Sequence, residues 1–164
     1  MSSPNPHSNW RWRAEPVEPG PAIVFDMDGV LSNAATRQHF LDGPRRDWDA
    51  FFAACGDDEL IDEVARLLDV IDDELQIILL TARPISVQPQ TLAWLQRYDL
   101  RWDLLLMRPG GDYTASRSFK KESVEQLRSF GFDLRLAFED DQRNVEMFHA
   151  EGVPCIYIHS GYYD

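Results

Sequence analysis

Ala22-Ile23-Val24-Phe25-Asp26-Met27-Asp28-Gly29-Val30-Leu31 is the stretch whose reading decides the fold. A short apolar run ends in two carboxylates one residue apart, followed by a glycine. Four apolar residues bounded by turn-forming chemistry read as a strand buried on both faces, as in a parallel sheet. An open α/β sheet places its site at the carboxyl end of such a strand. Two carboxylates held this close repel each other, so the pair requires a cation between them or a proton on one.

Downstream, Leu60, Ile61, Val64, Leu67, Leu68 and Ile71 recur at helical spacing, and Asp57 or Asp58 stands where a cap belongs. Residues 76–80 form a second apolar run, which ends in Thr81-Ala82-Arg83-Pro84; the proline is expected to keep that strand from continuing centrally. A helix over 91–98, a strand over 104–107 and the loop Arg108-Pro109-Gly110-Gly111-Asp112 follow. Val124, Leu127 and Phe130 mark a helix that Gly131 can close. A strand over 134–138 runs straight into Glu139-Asp140-Asp141. The last helix carries Val145 and Phe148 inward and stops near Gly152, ahead of a strand over 154–158. Strand and helix alternate throughout, which predicts an α/β fold: a Rossmann-like three-layer sandwich with a central parallel sheet of about five strands.

Residues 32–56 are polar, with Arg37, Arg45 and Arg46 beside Trp48, Phe51 and Phe52, and the aromatics are expected to pack beneath that loop. Only 52 positions separate Asp28 from Thr81, so the cap over the site must be minimal. Residues 1–20, rich in proline, serine and asparagine, read as a flexible N-terminal tail ahead of one domain over 21–164. Trp10-Arg11-Trp12-Arg13 is the one odd feature of that tail, suited to packing back on the body or to touching a partner.

A chain of 164 residues is long enough for one domain with a substantial core. Its formal net charge of -12 argues against nonspecific binding to nucleic acid or to an anionic membrane. Cys55 and Cys155 are far apart and match no metal or redox spacing, so reduced thiols are expected. No 18-residue apolar run occurs and the first residues lack a signal-peptide pattern; the expected location is the cytoplasm, with no membrane partner. No glycine loop of the Walker type is present.

Three strands thus end in polar groups that the fold would bring together: Asp26 and Asp28, then Thr81, then Glu139 and Asp140. Phe119-Lys120-Lys121-Glu122 adds a lysine near a helix start. Carboxylates for a hard divalent cation, with a hydroxyl and an ammonium for anionic oxygens, compose a phosphoryl-transfer site. In these four motifs, in this order, residues 22–158 resemble the haloacid dehalogenase (HAD) superfamily of phosphohydrolases. The resemblance implies Asp26 as nucleophile, forming an aspartyl-phosphate, and Asp28 as general acid and then base. It also implies Thr81, Ala82, Arg83 and Lys121 on the phosphoryl oxygens, Lys120 being the alternative to Lys121. Mg2+ would be bridged by the Asp26 side chain, the Asp28 backbone carbonyl and the Asp140 side chain, with Glu139 or Asp141 in an outer role.

Thr91-x-x-Trp94-Leu95, Met107-Arg108-Pro109-Gly110-Gly111-Asp112, Lys121-Glu122 and Val145-Glu146-Met147 narrow the resemblance. They are similar to the 3′-phosphatase half of the bacteriophage polynucleotide kinase-phosphatases. The implied substrate is a nucleic-acid 3′-phosphate end or a phosphorylated small molecule of nucleotide type, handled by a monomer or a homodimer. Arg37, Arg83, Arg108 and Arg117 are candidates for a second phosphate or a polynucleotide backbone. Against a long polyanion stand fourteen acidic and four basic residues between Asp26 and Glu74. The alternative is a phosphate-responsive binding or regulatory module on the same fold. Receiver domains, which carry similar residues, place their phosphorylated aspartate after a later strand.

Overall fold

A strand covered on both faces shows two sets of buried side chains, and the run around Ile23 does so. In the computed structural model, which describes residues 6–164, it is β2 (Pro21–Phe25) in the middle of a six-stranded sheet. The other strands of that sheet are β1 (Trp10–Trp12), β5 (Gln76–Pro84), β6 (Leu104–Arg108), β7 (Asp133–Glu139) and β8 (Cys155–Tyr157). A short antiparallel pair, β3 (Ser32–Asn33) and β4 (Glu59–Leu60), lies apart from it. The order across the main sheet is β1-β6-β5-β2-β7-β8, all parallel except β1.

Alternation along the strands sorts the core into two layers. Ile23, Phe25, Ile77, Leu79, Leu105 and Met107 face one side. There they meet α2 (Asp62–Val70) through Val64, Ala65 and Leu68, and α3 (Gln88–Arg97) through Trp94 and Leu95. Ala22, Val24, Ile78, Leu80, Leu104 and Leu106 face the other side. Their partners are Phe119, Val124 and Leu127 of α4 (Ser116–Phe130) and Met147 and Phe148 of α5 (Gln142–Ala150). Between β3 and β4 the chain forms a 3-10 helix (Ala35–Leu41) and α1 (Trp48–Ala53). These two short helices are the cap; of the aromatics expected to pack beneath it, Phe51 is buried and Phe52 half-buried, whereas Trp48 is exposed.

Three expectations need correction. β5 does not end with its apolar run at Leu80: it continues, after a register irregularity, to Pro84, its last residue, which pairs with Arg108 and beyond which the strand does not go. Neither Asp57 nor Asp58 caps α2, which follows Ile61 without a side-chain cap. Most of the proposed tail that can be described is anchored. Trp10 pairs with Leu106 and Trp12 with Leu104, making β1 an antiparallel edge strand. The Asn9 side-chain amide donates to the Met107 carbonyl at 2.8 Å, and Arg13 donates to the Leu100 carbonyl. The Trp10 ring lies edge-on to Phe130 at 5.2 Å, and Trp12 lies 6.3 Å from Phe132. Residues 1–5 of the expected tail lie outside the described residues.

Both tryptophans are almost fully buried, so β1 is part of the core. Trp12→Ala is expected to lower the unfolding free energy by about 3–5 kcal/mol, the usual cost of deleting a buried large aromatic. Urea titration reads this directly; an unchanged midpoint would show that β1 detaches without cost.

Candidate active site

The site begins where β2 ends. The Asp26 amide still donates to the Phe138 carbonyl of β7, so Asp26 leaves the sheet fixed between β5 and β7. The chain then turns tightly: the amides of Val30, Leu31 and Ser32 all converge on the Met27 carbonyl. Gly29 holds φ +85 in this turn, and a Cβ there would lie 2.1 Å from Asp140 Oδ2. Glycine is therefore required twice over, by conformation and by the closeness of Asp140.

Two compartments of charge flank this turn. In the first, the Lys120 ammonium donates to Asp26 Oδ1 at 2.9 Å and to Glu139 Oε2 at 2.8 Å, and all three residues are buried. Ligand atoms of Asp26, Glu139 and Asp140 lie within 4.8 Å of one another. Three carboxylates face one ammonium, an excess of two negative charges. Burial raises the pKa of Glu139, and Asp26 raises it further despite Lys120. Burial likewise raises Asp140, again with Asp26 adding to it. For Lys120, burial works against the ammonium but Asp26 and Glu139 prevail, so its pKa lies above the ordinary range. Both carboxylate oxygens of Asp140 are buried with no hydrogen-bond donor. A buried carboxylate without donors, in a cluster two charges short of neutral, fits a hard divalent cation of the Mg2+ type.

The second compartment is balanced. Arg37 grips Asp58 with two bonds, 2.8 and 2.6 Å, and donates to Asp28 Oδ1 at 2.8 Å. Its guanidinium also lies over the Phe51 ring. Arg83 donates to the same Asp28 oxygen from Nε at 3.1 Å and Nη2 at 2.6 Å, and to Ser32 and Thr91. Two guanidinium groups thus face two carboxylates. Burial pushes the Asp28 carboxyl up, but Arg83 and Arg37 outweigh it and hold its pKa below the usual value. All three bonds land on Oδ1, leaving Oδ2 as the oxygen able to carry a proton.

Asp26, Asp28, Thr81, Glu139 and Asp140 therefore gather at the carboxyl end of the parallel strands. Thr81 is buried there on β5, its hydroxyl oxygen accepting the Arg83 amide, with Ala82 beside it. The expected lysine was the wrong one of the pair. Lys120 enters the site, whereas Lys121 is exposed and paired with Glu125. Arg37 and Arg83 are buried against carboxylates, so their side chains do not line a phosphate surface. Arg117 lies on α4; Arg108, at the end of β6, has its guanidinium over Phe119 and its Nε buried without a partner. Asp141 caps α5 through the Arg143 amide and holds the Arg143 guanidinium, which leaves Glu139 as the third carboxylate of the cluster. Asp58 was missed as a site residue: its partner Arg37 is 21 positions away, and no local pattern joins them.

The family model of the polynucleotide kinase PNKP phosphatase domain matches residues 20–163. Among the curated proteins, none matches the chain significantly. Among solved structures, a Pnkp1/Rnl/Hen1 complex contains a chain 27% identical, with a TM-score of 0.72, covering 86% of this chain and 46% of that one. A chain in the Pnkp1/Rnl/Hen1 RNA repair complex is 24% identical, with a TM-score of 0.74, covering 94% and 47%. A class C acid phosphatase from Bacillus anthracis with tungstate bound shares the fold at 18% identity and a TM-score of 0.60, covering 90% and 69%. The chain spans about half the length of the Pnkp1-complex chains that it matches.

Glu139 and Asp140 hold protons more tightly in the folded chain than in the unfolded one. Without a cation, stability therefore falls as pH rises out of the ordinary carboxylate range toward their raised values. A cation replaces those protons, so Mg2+ is expected to raise Tm by an increment that grows with pH across that window. At a hundredfold excess over Kd the gain is about 2.7 kcal/mol. Thermal melts with and without Mg2+ test this, with Asp140→Asn expected to lose most of the increment; an increment independent of pH would refute the assignment.

Proposed function

Because the chain belongs to the phosphatase-domain family of polynucleotide kinase-phosphatases, within the HAD phosphatases, we propose that it hydrolyses phosphomonoesters by way of an aspartyl-phosphate on Asp26, with a nucleic-acid 3′-phosphate or a related nucleotide ester as substrate. The observation that carries this reading is the division of labour between two adjacent carboxylates. Asp26 sits with Lys120 beside an uncompensated acidic pair, and Asp28 is clamped through one oxygen by two buried arginines.

Lys120 holds the Asp26 carboxylate in one orientation. Asp26 attacks phosphorus, and the bond to the leaving oxygen breaks as Asp28 Oδ2 delivers a proton to that oxygen. The arginines favour the carboxylate form of Asp28, whereas the negative charge of an arriving phosphoryl group acts the other way and favours the protonated form that delivers the proton. The resulting Asp28 carboxylate then takes a proton from water, which attacks phosphorus and breaks the bond to Asp26. Inorganic phosphate leaves and both aspartates return to their starting forms. Thr81 and Lys120 would donate to the phosphoryl oxygens. A divalent cation held by Asp26, Glu139 and Asp140 would neutralise phosphoryl charge during both displacements. Family membership supports turnover over a binding module that only senses phosphate.

The test is phosphate release with Mg2+ from p-nitrophenyl phosphate, mononucleotides, and 3′- and 5′-phosphorylated oligonucleotides, with Asp26→Asn as the blank. Release above the blank is expected, fastest from 3′-phosphate ends; silence across the panel would overturn the reading. Asp28→Asn should lose about 10²–10⁴-fold in turnover, as the loss of an acid/base group does, while keeping its Mg2+-dependent gain in Tm. The two lysines should separate sharply. Lys120→Met should cost about 10²–10³-fold in kcat, with folding checked by Tm, and Lys121→Met should leave kcat unchanged; equal effects would contradict the assignment of Lys120.

A further inference from the structure

Ser160 to Tyr163 follow β8 and turn back across the carboxyl end of the sheet. Gly161 makes the reversal with φ +84, and the Tyr162 amide donates to Ser160 Oγ. The Tyr162 hydroxyl, 3.2 Å from Asn33 Oδ1, fastens the segment to the edge of the cap. Its inner side is packed tightly: a Cβ on Gly29 would lie 3.0 Å from Ser160 Cβ as well as against Asp140. This segment is therefore a wall of the turn that carries Asp26 and Asp28.

Tyr163 stands at the outer edge of that wall. The Arg143 guanidinium lies over its ring, 5.6 Å from the centroid, and Arg143 is itself held by Asp141 at 3.1 and 2.9 Å. The ring is thus backed by a fixed cation, yet the residue remains 56% exposed. Arg143 is bound to Asp141, the neighbour of Asp140, so its contact with the Tyr163 ring puts that ring at the rim of the acidic centre. Burial, and then the carboxylates of Asp140, Asp26, Asp141 and Glu139, push the phenol pKa upward in keeping with that position.

We propose that Tyr163, backed by Arg143, is the specificity-determining surface of this site, stacking on the base or sugar of a nucleotide whose phosphate lies at Asp26. The inference rests on the phosphomonoesterase reading and adds to it the part of the ester that the enzyme recognises. A chain of net charge -12 gains little from attraction to a phosphodiester backbone, so affinity for a nucleotide must come from contacts that carry no charge. Stacking of a base on an aromatic ring supplies such a contact and tolerates any base. A cation in contact with one face of the ring restricts it before the substrate arrives, which lowers the cost of ordering it.

The experiment compares Tyr163→Ala and Tyr163→Phe with the unaltered protein on a 3′-phosphorylated oligonucleotide, a nucleoside 3′-monophosphate and glycerol phosphate. Tyr163→Ala should raise KM for both nucleotide esters about tenfold, with kcat unchanged and glycerol phosphate unaffected. Tyr163→Phe should match the unaltered protein, because the ring and not the hydroxyl makes the contact. The KM ratio should be the same at low and high salt, unlike a phosphate contact. An unchanged KM for the nucleotides, or an equal change for glycerol phosphate, would overturn the proposal. Binding of the nucleoside 3′-monophosphate to Asp26→Asn, with and without Tyr163→Ala, is measured by calorimetry and separates the two readings. If no ester is turned over but Tyr163→Ala still weakens binding about tenfold, hydrolysis fails and the platform stands. If turnover is present and both KM and binding ignore Tyr163→Ala, the platform alone fails.

Discussion

The repulsion among Asp26, Glu139 and Asp140 is the constraint on which the rest of the site depends. Three buried carboxyl groups with ligand atoms inside 4.8 Å cannot all ionise without compensation, and one lysine does not supply enough. The fold answers by geometry. β2 and β7 are neighbours, so the residues ending these strands must meet, and the glycine turn after Asp26 lets Asp140 approach without a Cβ in the way. The crowding is built into the sheet register and cannot relax by a side chain swinging into solvent. Strain of this kind is stable only when a cation or protons complete it, which is the state that phosphoryl chemistry uses.

Asp28 shows the opposite arrangement two residues later. Its charge is compensated in full by Arg37 and Arg83, and Asp58 compensates Arg37 in turn. Buried ion pairs of this sort contribute little net stability, because desolvation of four charges offsets most of their attraction. Their value here is directional. Convergence of three donors on one oxygen fixes which oxygen of Asp28 is free, and Trp94, donating from its indole to the Asp58 carbonyl, ties the network to α3. The cap thus acts, through Arg37 of its 3-10 helix, as an outer support of Asp28 more than as a lid.

Most of this was legible in the sequence, because strand ends announce themselves as apolar runs stopping at charge. Runs ending at Asp26, Thr81 and Glu139 placed three neighbouring strands and the site together. The choice of lysine was also legible and was misread. Val124 and Leu127 stand four and seven positions after Lys120, so helical periodicity puts Lys120 on the buried stripe of α4 and leaves Lys121 beside Glu125 on the open face. Asp141 carried its own signal as an N-cap followed two residues later by Arg143. The partnership of Arg37 with Asp58 had none, since each is an ordinary surface residue until the tertiary fold buries both. For β1, Trp10-Arg11-Trp12 alternates correctly for a strand, but three residues carry too little pattern to reveal which edge they pair with.

An acidic enzyme for the polyanionic substrate proposed above looks self-defeating until range is considered. Surface charges are screened beyond roughly 8 Å at physiological salt, so the excess negative charge of this chain acts only on the part of a strand lying close to its surface. A phosphodiester interior laid along such a surface meets repulsion at every phosphate. A terminal phosphate that enters end-on meets Lys120 and, on the proposed reading, a bound cation, while the phosphates behind it stay largely out of range. Repulsion along the surface together with attraction at one point favours ends over interiors. On this view the negative charge of the chain is itself a means of selecting the kind of substrate that the site is built to open.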